Sequence, residues 1–161
     1  MNKKILFGVI IVFIIIGIAA ISLSGDSNSN KEPTQHNWTV GDVVTYECNP
    51  GLIGEEKFSL KYEILADNGS TWSIKETDLR TNSSTTSDIN KSDYYGFDKP
   101  SGADNGKRTI STTWGDKSLT YSSIGLAIEY YTDMNSKLLY QEEIFSGTYT
   151  ITYKLVSASF L

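Results

Sequence analysis

The stretch "KFSLKYEI" puts Phe58, Leu60, Tyr62 and Ile64 on one side of an extended chain and Lys57, Ser59, Lys61 and Glu63 on the other. A period of two is the mark of a half-buried β-strand, because successive side chains of a strand point to opposite faces. The period returns near the C-terminus in "TYTITYKLV", where Tyr149, Ile151, Tyr153 and Leu155 form a second stripe. "ADNGS" follows the first strand and carries Asn68-Gly69, the residue pair preferred in tight hairpin turns. "TWSIKET" then returns, and "DVVTYEC" reads as a strand ahead of both. Further on, "RTISTTW" and "SLTYSS" are parted by a turn at Gly115-Asp116, and "LAIEYYT", "KLLYQEEIF" and "TYTITYKLV" by "DMNS" and "SG". Seven or eight short strands without a soluble helix imply an all-β fold. The expectation is one antiparallel β-domain, either a sandwich or a curved half-barrel meander. Residues 81–107, rich in Ser, Thr, Asp and Gly, are expected to be a long loop, functional or disordered.

The N-terminus has a different character. From Ile5 to Ser24 there is no charge, and fourteen of the twenty residues are Ile, Leu, Val or Phe. As a helix this run would be roughly 30 Å long, the thickness of a bilayer's hydrocarbon core. Insertion of those residues is favourable by about 6 kcal/mol. Lys3 and Lys4 precede the run, while Asp26 and Glu32 follow it. The positive-inside bias keeps the N-terminus in the cytoplasm and sends the rest of the chain outside. The run exceeds the apolar core of a removable signal, about 7 to 15 residues, which favours a permanent single-pass anchor. Small residues at Ala19, Ala20, Ser22 and Ser24 keep cleavage and secretion open. The expected organisation is a transmembrane helix over 1–24, a flexible polar tether over 25–37 and an extracytoplasmic β-domain over 38–161.

Beyond the apolar run stand 12 Lys and Arg (14 in the chain less Lys3 and Lys4) against 19 Asp and Glu. A domain this negative is a poor nucleic-acid binder, since phosphate contacts need clustered cations. Cys48 is the single cysteine, so no internal disulfide can form. His36 is the single histidine and falls in the tether. Its isolation removes histidine-based triads and His-rich zinc sites. No G-x-S-x-G, C-x-x-C, G-x-G-x-x-G or P-loop occurs. "DMNSKLLYQEE" starts like a calcium loop at Asp133 and Asn135, then fails at Lys137, Leu138 and Ile144. Glu55-Glu56 and Glu142-Glu143 are adjacent acids, which on a strand point to opposite faces. A catalytic carboxylate pair would therefore have to come from two strands. The expectation is a non-enzymatic protein without a cofactor or metal.

Four N-x-S/T sequons lie outside the apolar run, at Asn37, Asn68, Asn82 and Asn90. They are candidate glycosylation sites, with ordinary polar turns as the alternative. Tyr94-Tyr95 and Tyr130-Tyr131 are adjacent pairs. A sheet covered on one side would leave one tyrosine of each pair exposed, a surface suited to sugar or protein contact. A sheet covered on both sides, or a pair placed in a loop, would leave none.

"WTVGDVVTYEC", the tyrosine-rich hairpin, "TTWGDKSLTYSS" and "EYYTDMNSKLLYQEE" resemble a loose class of exported archaeal proteins. Those proteins have one N-terminal anchor and a small β-domain opening with W-x-V-G-D. The closing three-strand meander is also similar to that of LolA-like lipoprotein carriers, whose half-open barrel holds acyl chains. No segment of this chain reads as the lid helix of such a carrier, and no functional residue is carried over from either class.

Three readings follow. The first is a membrane-anchored binding or interaction module, held through residues 5–24, with a protein, glycan or lipid ligand outside and its contact surface on 81–107. The second is a lipid or lipoprotein carrier whose concave face includes Tyr62, Trp72, Tyr149 and Tyr153. The third is an extracellular hydrolase built on carboxylates.

Overall fold

The computed structural model describes residues 36–161 except Asp98, so the expected anchor over 5–24 lies outside the described residues. The strands are β1 (Val43–Asn49), β2 (Phe58–Asp67), β3 (Thr71–Asp78), β4 (Ser83–Asn90), β5 (Ala103–Thr112), β6 (Gly115–Ile124), β7 (Ile128–Asp133), β8 (Leu138–Phe145) and β9 (Thr150–Ala158). A single 3-10 turn, Lys91–Asp93, is the only helical piece among the described residues.

All nine strands form one open sheet in the order β4-β3-β2-β1-β9-β8-β7-β6-β5, and every pairing is antiparallel. Two meanders, β1–β4 and β5–β9, are thus joined where β1 pairs with β9. Each meander needs only short hairpin links, while the chain must travel from one sheet edge to the other between β4 and β5. That crossing segment, residues 91–102, fixes the architecture.

The alternation in β1 and β2 buries Val44, Tyr46, Cys48, Leu60, Tyr62 and Ile64. Cross-strand register sets Val44 opposite Tyr62, Tyr46 opposite Leu60 and Cys48 opposite Phe58, so these residues share one face. The crossing segment is laid on that face. Phe97 has its ring 5.3 Å from those of Tyr46 and Tyr62 and 4.8 Å from that of Tyr153. Tyr94 meets Trp38 edge to face at 4.7 Å. Gly96 lies between them at φ 88°, where a Cβ would come within 2.9 Å of the Tyr46 hydroxyl. Only glycine serves there, because the position combines left-handed backbone with no room for a side chain.

The sequence anticipates eight of these strands and misses β4. The segment 81–107 is no continuous loop: it contains β4, the crossing and the start of β5. β4 reads "SSTTSDIN", exposed at seven of its eight positions, so it has no apolar stripe to betray it. It is held by backbone pairing with β3 over Ser83–Asn90 without a register shift. The turn expected at Gly115-Asp116 falls instead on Thr113-Trp114, since Thr112 pairs with Gly115.

The W-x-V-G-D stretch is a docking turn at the start of β1. Trp38 is buried against Tyr94 and Phe160. The Thr39 amide donates to Asp42 Oδ2 at 2.8 Å, and the Gly41 amide donates to the Ile64 carbonyl at 2.9 Å. His36, expected in the tether, stacks on Phe160 at 3.5 Å and lies 2.9 Å from Asp42 Oδ2. Among the described residues, folded contacts thus reach back to His36, two positions ahead of the Trp38 start read from the sequence.

Candidate functional site

The end of the sheet where β1 finishes gathers four hairpin connections, β1–β2, β3–β4, β6–β7 and β8–β9, the second because Asp78 at the end of β3 stands opposite Leu60 at the start of β2. Their placement follows from register, because Asn49 stands opposite Thr152, Phe145 opposite Thr150 and Ile128 opposite Ile144. The β6–β7 and β8–β9 turns are tied directly. The Phe145 amide donates to the Ala127 carbonyl of the β6–β7 turn at 2.7 Å, while the Ser146 amide closes the β8–β9 turn itself on the Tyr149 carbonyl at 2.9 Å. Gly51 brings the β1–β2 link against β9 so closely that a Cβ there would collide with the Thr150 carbonyl.

A cavity of about 530 Å³ lies at this end, lined by Leu126, Ala127, Phe145, Gly147, Thr148, Tyr149 and Thr150. Its size falls within the range of small-ligand clefts, roughly 300 to 1,000 Å³. Leu126 is 94% exposed, and Phe145, Ile124 and Ile53 stand exposed on the same end. Exposed apolar side chains also stand at the other end, at Val40, Leu65, Met134 and Leu161, so what sets Leu126 and Phe145 apart is that they line the cavity. The lining combines apolar surface with threonine hydroxyls and backbone groups. It suits an apolar moiety that also accepts or donates a hydrogen bond, and it offers no cluster of charge.

The tyrosine pairs lie elsewhere and are buried: Tyr94 is 0% exposed, Tyr95 8%, Tyr130 2% and Tyr131 7%. Of the two arrangements open from the sequence, the structure has the one that leaves no tyrosine of either pair exposed, so these four are not a contact surface. Tyr94 and Tyr95 lie in the crossing segment and face inward. Tyr130 and Tyr131 do point to opposite faces, but both faces are covered. Tyr130 packs with Tyr95 and Leu139. The Tyr131 ring lies 5.5 Å from that of Tyr121, and both hydroxyls donate to Glu129, at 3.0 and 2.8 Å. Burial, then the Glu129 bond, pushes the Tyr131 phenol up to about 12.

The sequon asparagines are all exposed. Asn37 precedes the docking turn, Asn68 lies in the β2–β3 turn, Asn82 in the β3–β4 turn at φ 56°, and Asn90 ends β4.

Among the acids, Glu55 and Glu56 are exposed in the β1–β2 link, whereas Glu142 is buried opposite Tyr153 and Tyr130. Glu129 and Glu143 are opposed across β7 and β8. Gln141 Nε2 donates to Glu143, and neither carboxylate lines the cavity. Asp133 serves the β7–β8 turn, accepting from the Asn135 amide at 3.0 Å and from the Ser136 hydroxyl at 2.8 Å. Among the described residues, no cluster of three or more His, Cys, Asp or Glu is placed to hold a metal ion.

The lining residues are not conspicuous in the sequence, because they come from turns about twenty positions apart. The available signal is an apolar residue caught inside glycine-flanked turn sequence, as in "IGLA", "FSGTY" and "GLIG". Compared with known proteins, the chain matches no family model, no curated protein and no solved structure.

Proposed function

We propose that this chain is an extracytoplasmic binding or interaction module, anchored in a membrane through residues 5–24, whose contact surface is the loop end of the sheet. The observation that carries the reading is the cavity beside Leu126, Phe145 and Tyr149, at the opposite end of β1 from His36 and Trp38. Seven residues of β1 span roughly 23 Å. Leu126 and Phe145 thus stand at the end of the sheet opposite His36 and Trp38. The partner this surface fits is an uncharged, partly apolar group on a protein or small ligand outside the cell. The contact surface assigned from sequence to 81–107 and its tyrosines moves accordingly to the turns at Leu126 and Tyr149.

A lipid carrier would use the face bearing Tyr62, Trp72 and Tyr153. Phe97 lies against that face, so a carrier working there would first have to withdraw the 94–97 segment. The loop-end reading asks for no such rearrangement.

The test is site-directed photo-crosslinking of the full chain in its own cells. A photoreactive amino acid replaces Leu126, or Met134 in the β7–β8 turn at the other end, and protease is added to a parallel sample of intact cells. The expected result is an adduct from position 126, none from 134, and digestion of the domain by external protease. Equal labelling at both ends removes the loop-end site. A domain sheltered from protease removes the exported topology.

A further inference from the structure

The two edges of the sheet are managed differently. A free edge strand presents unpaired N–H and C=O groups, and proteins blunt such edges with lysine, proline, a bulge or a cover. β5 has these devices: its register breaks between Asp104 and Lys107, and Lys107 and Arg108 follow. β4 has none of them. It runs over Ser83–Asn90 without a bulge, contains neither lysine nor proline, and is exposed at all positions but Ile89. Nothing in its amino acids discourages a second strand. With two β4 strands antiparallel over their full length, Asp88 would face Thr85 of the other copy, so no like charges stand directly opposite each other.

Three of the four sequons surround this one edge. Asn82-Ser83-Ser84 opens β4, and Asn90-Lys91-Ser92 closes it. Asn68-Gly69-Ser70 lies in the neighbouring turn, with the Asn68 carboxamide 3.4 Å from the Asp88 carboxylate of β4. All three asparagines are exposed. No sequon occurs in β5 to β9, at the edge that is already protected.

We infer that Asn68, Asn82 and Asn90 are N-glycosylation sites, and that their glycans shield the β4 edge against strand pairing with a second copy of this chain. The modification needs a phosphate-linked oligosaccharide donor on the exported side. The asparagine Nδ2 forms the bond to the sugar C1, the C1–O bond to the donor phosphate breaks, and the phosphate leaves as one amide proton goes to base. A hydrated sugar at each end of a strand about 26 Å long blocks approach along it. The inference rests on the exported topology proposed above but not on the loop-end site.

The test begins with peptide mass mapping of the full chain purified from its own membranes in mild detergent, after confirming that external protease reaches the domain. Sugar on the three asparagines is expected. The second step compares wild type with S70A/S84A/S92A, which removes the three acceptor hydroxyls and keeps every asparagine and its turn. In sedimentation velocity the triple variant should dimerise at a concentration at least tenfold lower than wild type. Adding Thr85→Lys, opposite Glu76 in the middle of β4, should reverse this; Ser83→Lys, opposite Asp78, serves where Thr85→Lys unfolds. An exported protein with bare asparagines overturns the inference and leaves the loop-end site standing. A triple variant as monomeric as wild type, or one whose association survives the edge lysine, overturns it too. A domain that protease cannot reach overturns both.

Discussion

The ring of Phe97 lies 4.8 Å from that of Tyr153, tilted by 36°. One residue of the crossing segment thereby meets β9, and through Tyr46 and Tyr62 it also meets β1 and β2. Beyond the β1–β9 pairing, the Tyr46 hydroxyl also fastens the two meanders, donating to the Leu139 carbonyl at 2.7 Å, and Phe97 adds its ring to that shared core. Phe97→Ala should therefore cost about 3 kcal/mol, the lost transfer energy plus a cavity between three tyrosines. Thermal unfolding followed by circular dichroism should show a midpoint lower by roughly 10 °C. Phe97→Leu should lose less than half of that. An unchanged midpoint for Phe97→Ala would mean the segment does not pack on the sheet.

Glu76 is set opposite Tyr62 on the core side of β3. Burial first, and Asp78 second, raises its carboxyl above the ordinary carboxylate value of 4.5. The folded state thus takes up a proton at a pH where the unfolded chain does not. The stability that Glu76 allows is complete below the ordinary value and is lost as pH rises through the raised one. Glu76→Gln should accordingly raise the melting temperature at neutral pH, with the gain shrinking to nothing near pH 4.5 and below. A gain of equal size at acid and neutral pH would show that charge is not the cause.

Tyr94 is fully buried, and its hydroxyl has no hydrogen-bond partner among the described residues. Burial, then the nearby Asp42, raises this phenol strongly. A desolvated hydroxyl that is not repaid costs about 1 to 3 kcal/mol. Tyr94→Phe should thus be neutral or stabilise the fold by about 1 kcal/mol in denaturant titration, where most large aromatic changes destabilise. A loss above 1 kcal/mol would mean that the hydroxyl has a bonded partner after all.

What the sequence discloses and what it hides divide along a physical line. Phe58, Leu60, Tyr62 and Ile64 declare themselves because strand burial repeats every second residue, a purely local signal. β4 leaves no such trace, since Ser, Thr and Asp sit equally well in a loop or on an edge strand, and only pairing with β3 decides. The burial of Tyr94, Tyr95 and Tyr130 depends on where residues 91–102 cross the sheet, a fact of topology rather than composition. The cavity is hidden for the same reason: Leu126 and Tyr149 meet only because β7 and β8 bring two turns to one end.

Cys48 is buried beside Tyr153 on the face that Phe97 covers. Burial pushes its thiol up to about 11, although the hydrogen bond with Tyr153 pulls the other way. Tyr140 is likewise raised to about 12, first by burial and then by Asp133. These groups ionise more readily in the unfolded chain, so the stability they supply is full below their ordinary values of 9.0 and 10.0 and is lost as pH climbs through the raised ones. The native protein should therefore weaken steeply above pH 10. At pH 8 its thiol should react with a disulfide reagent on the order of 100-fold more slowly than in denaturant, because only an opened state exposes it. Equal rates would place Cys48 at the surface.

Asp42 closes the docking turn from two sides, accepting from the Thr39 amide at 2.8 Å and lying 2.9 Å from His36 Nε2. His36 in turn stacks on Phe160 from the C-terminal tail, so the carboxylate ties together both ends of the folded chain. Asp42→Ala removes a turn cap and leaves the partly buried Thr39 amide without its acceptor, which should cost about 1 kcal/mol. His36→Ala should cost about 1 kcal/mol through lost stacking and one hydrogen bond. Because the two residues touch, the double variant should lose about 0.5 to 1 kcal/mol less than the sum. Strict additivity would mean that His36 and Asp42 do not meet in solution. The turn would then hold by the Thr39–Asp42 and Gly41–Ile64 hydrogen bonds and by the packing of Trp38 on Tyr94 and Phe160, and His36→Ala would leave the start of β1 folded.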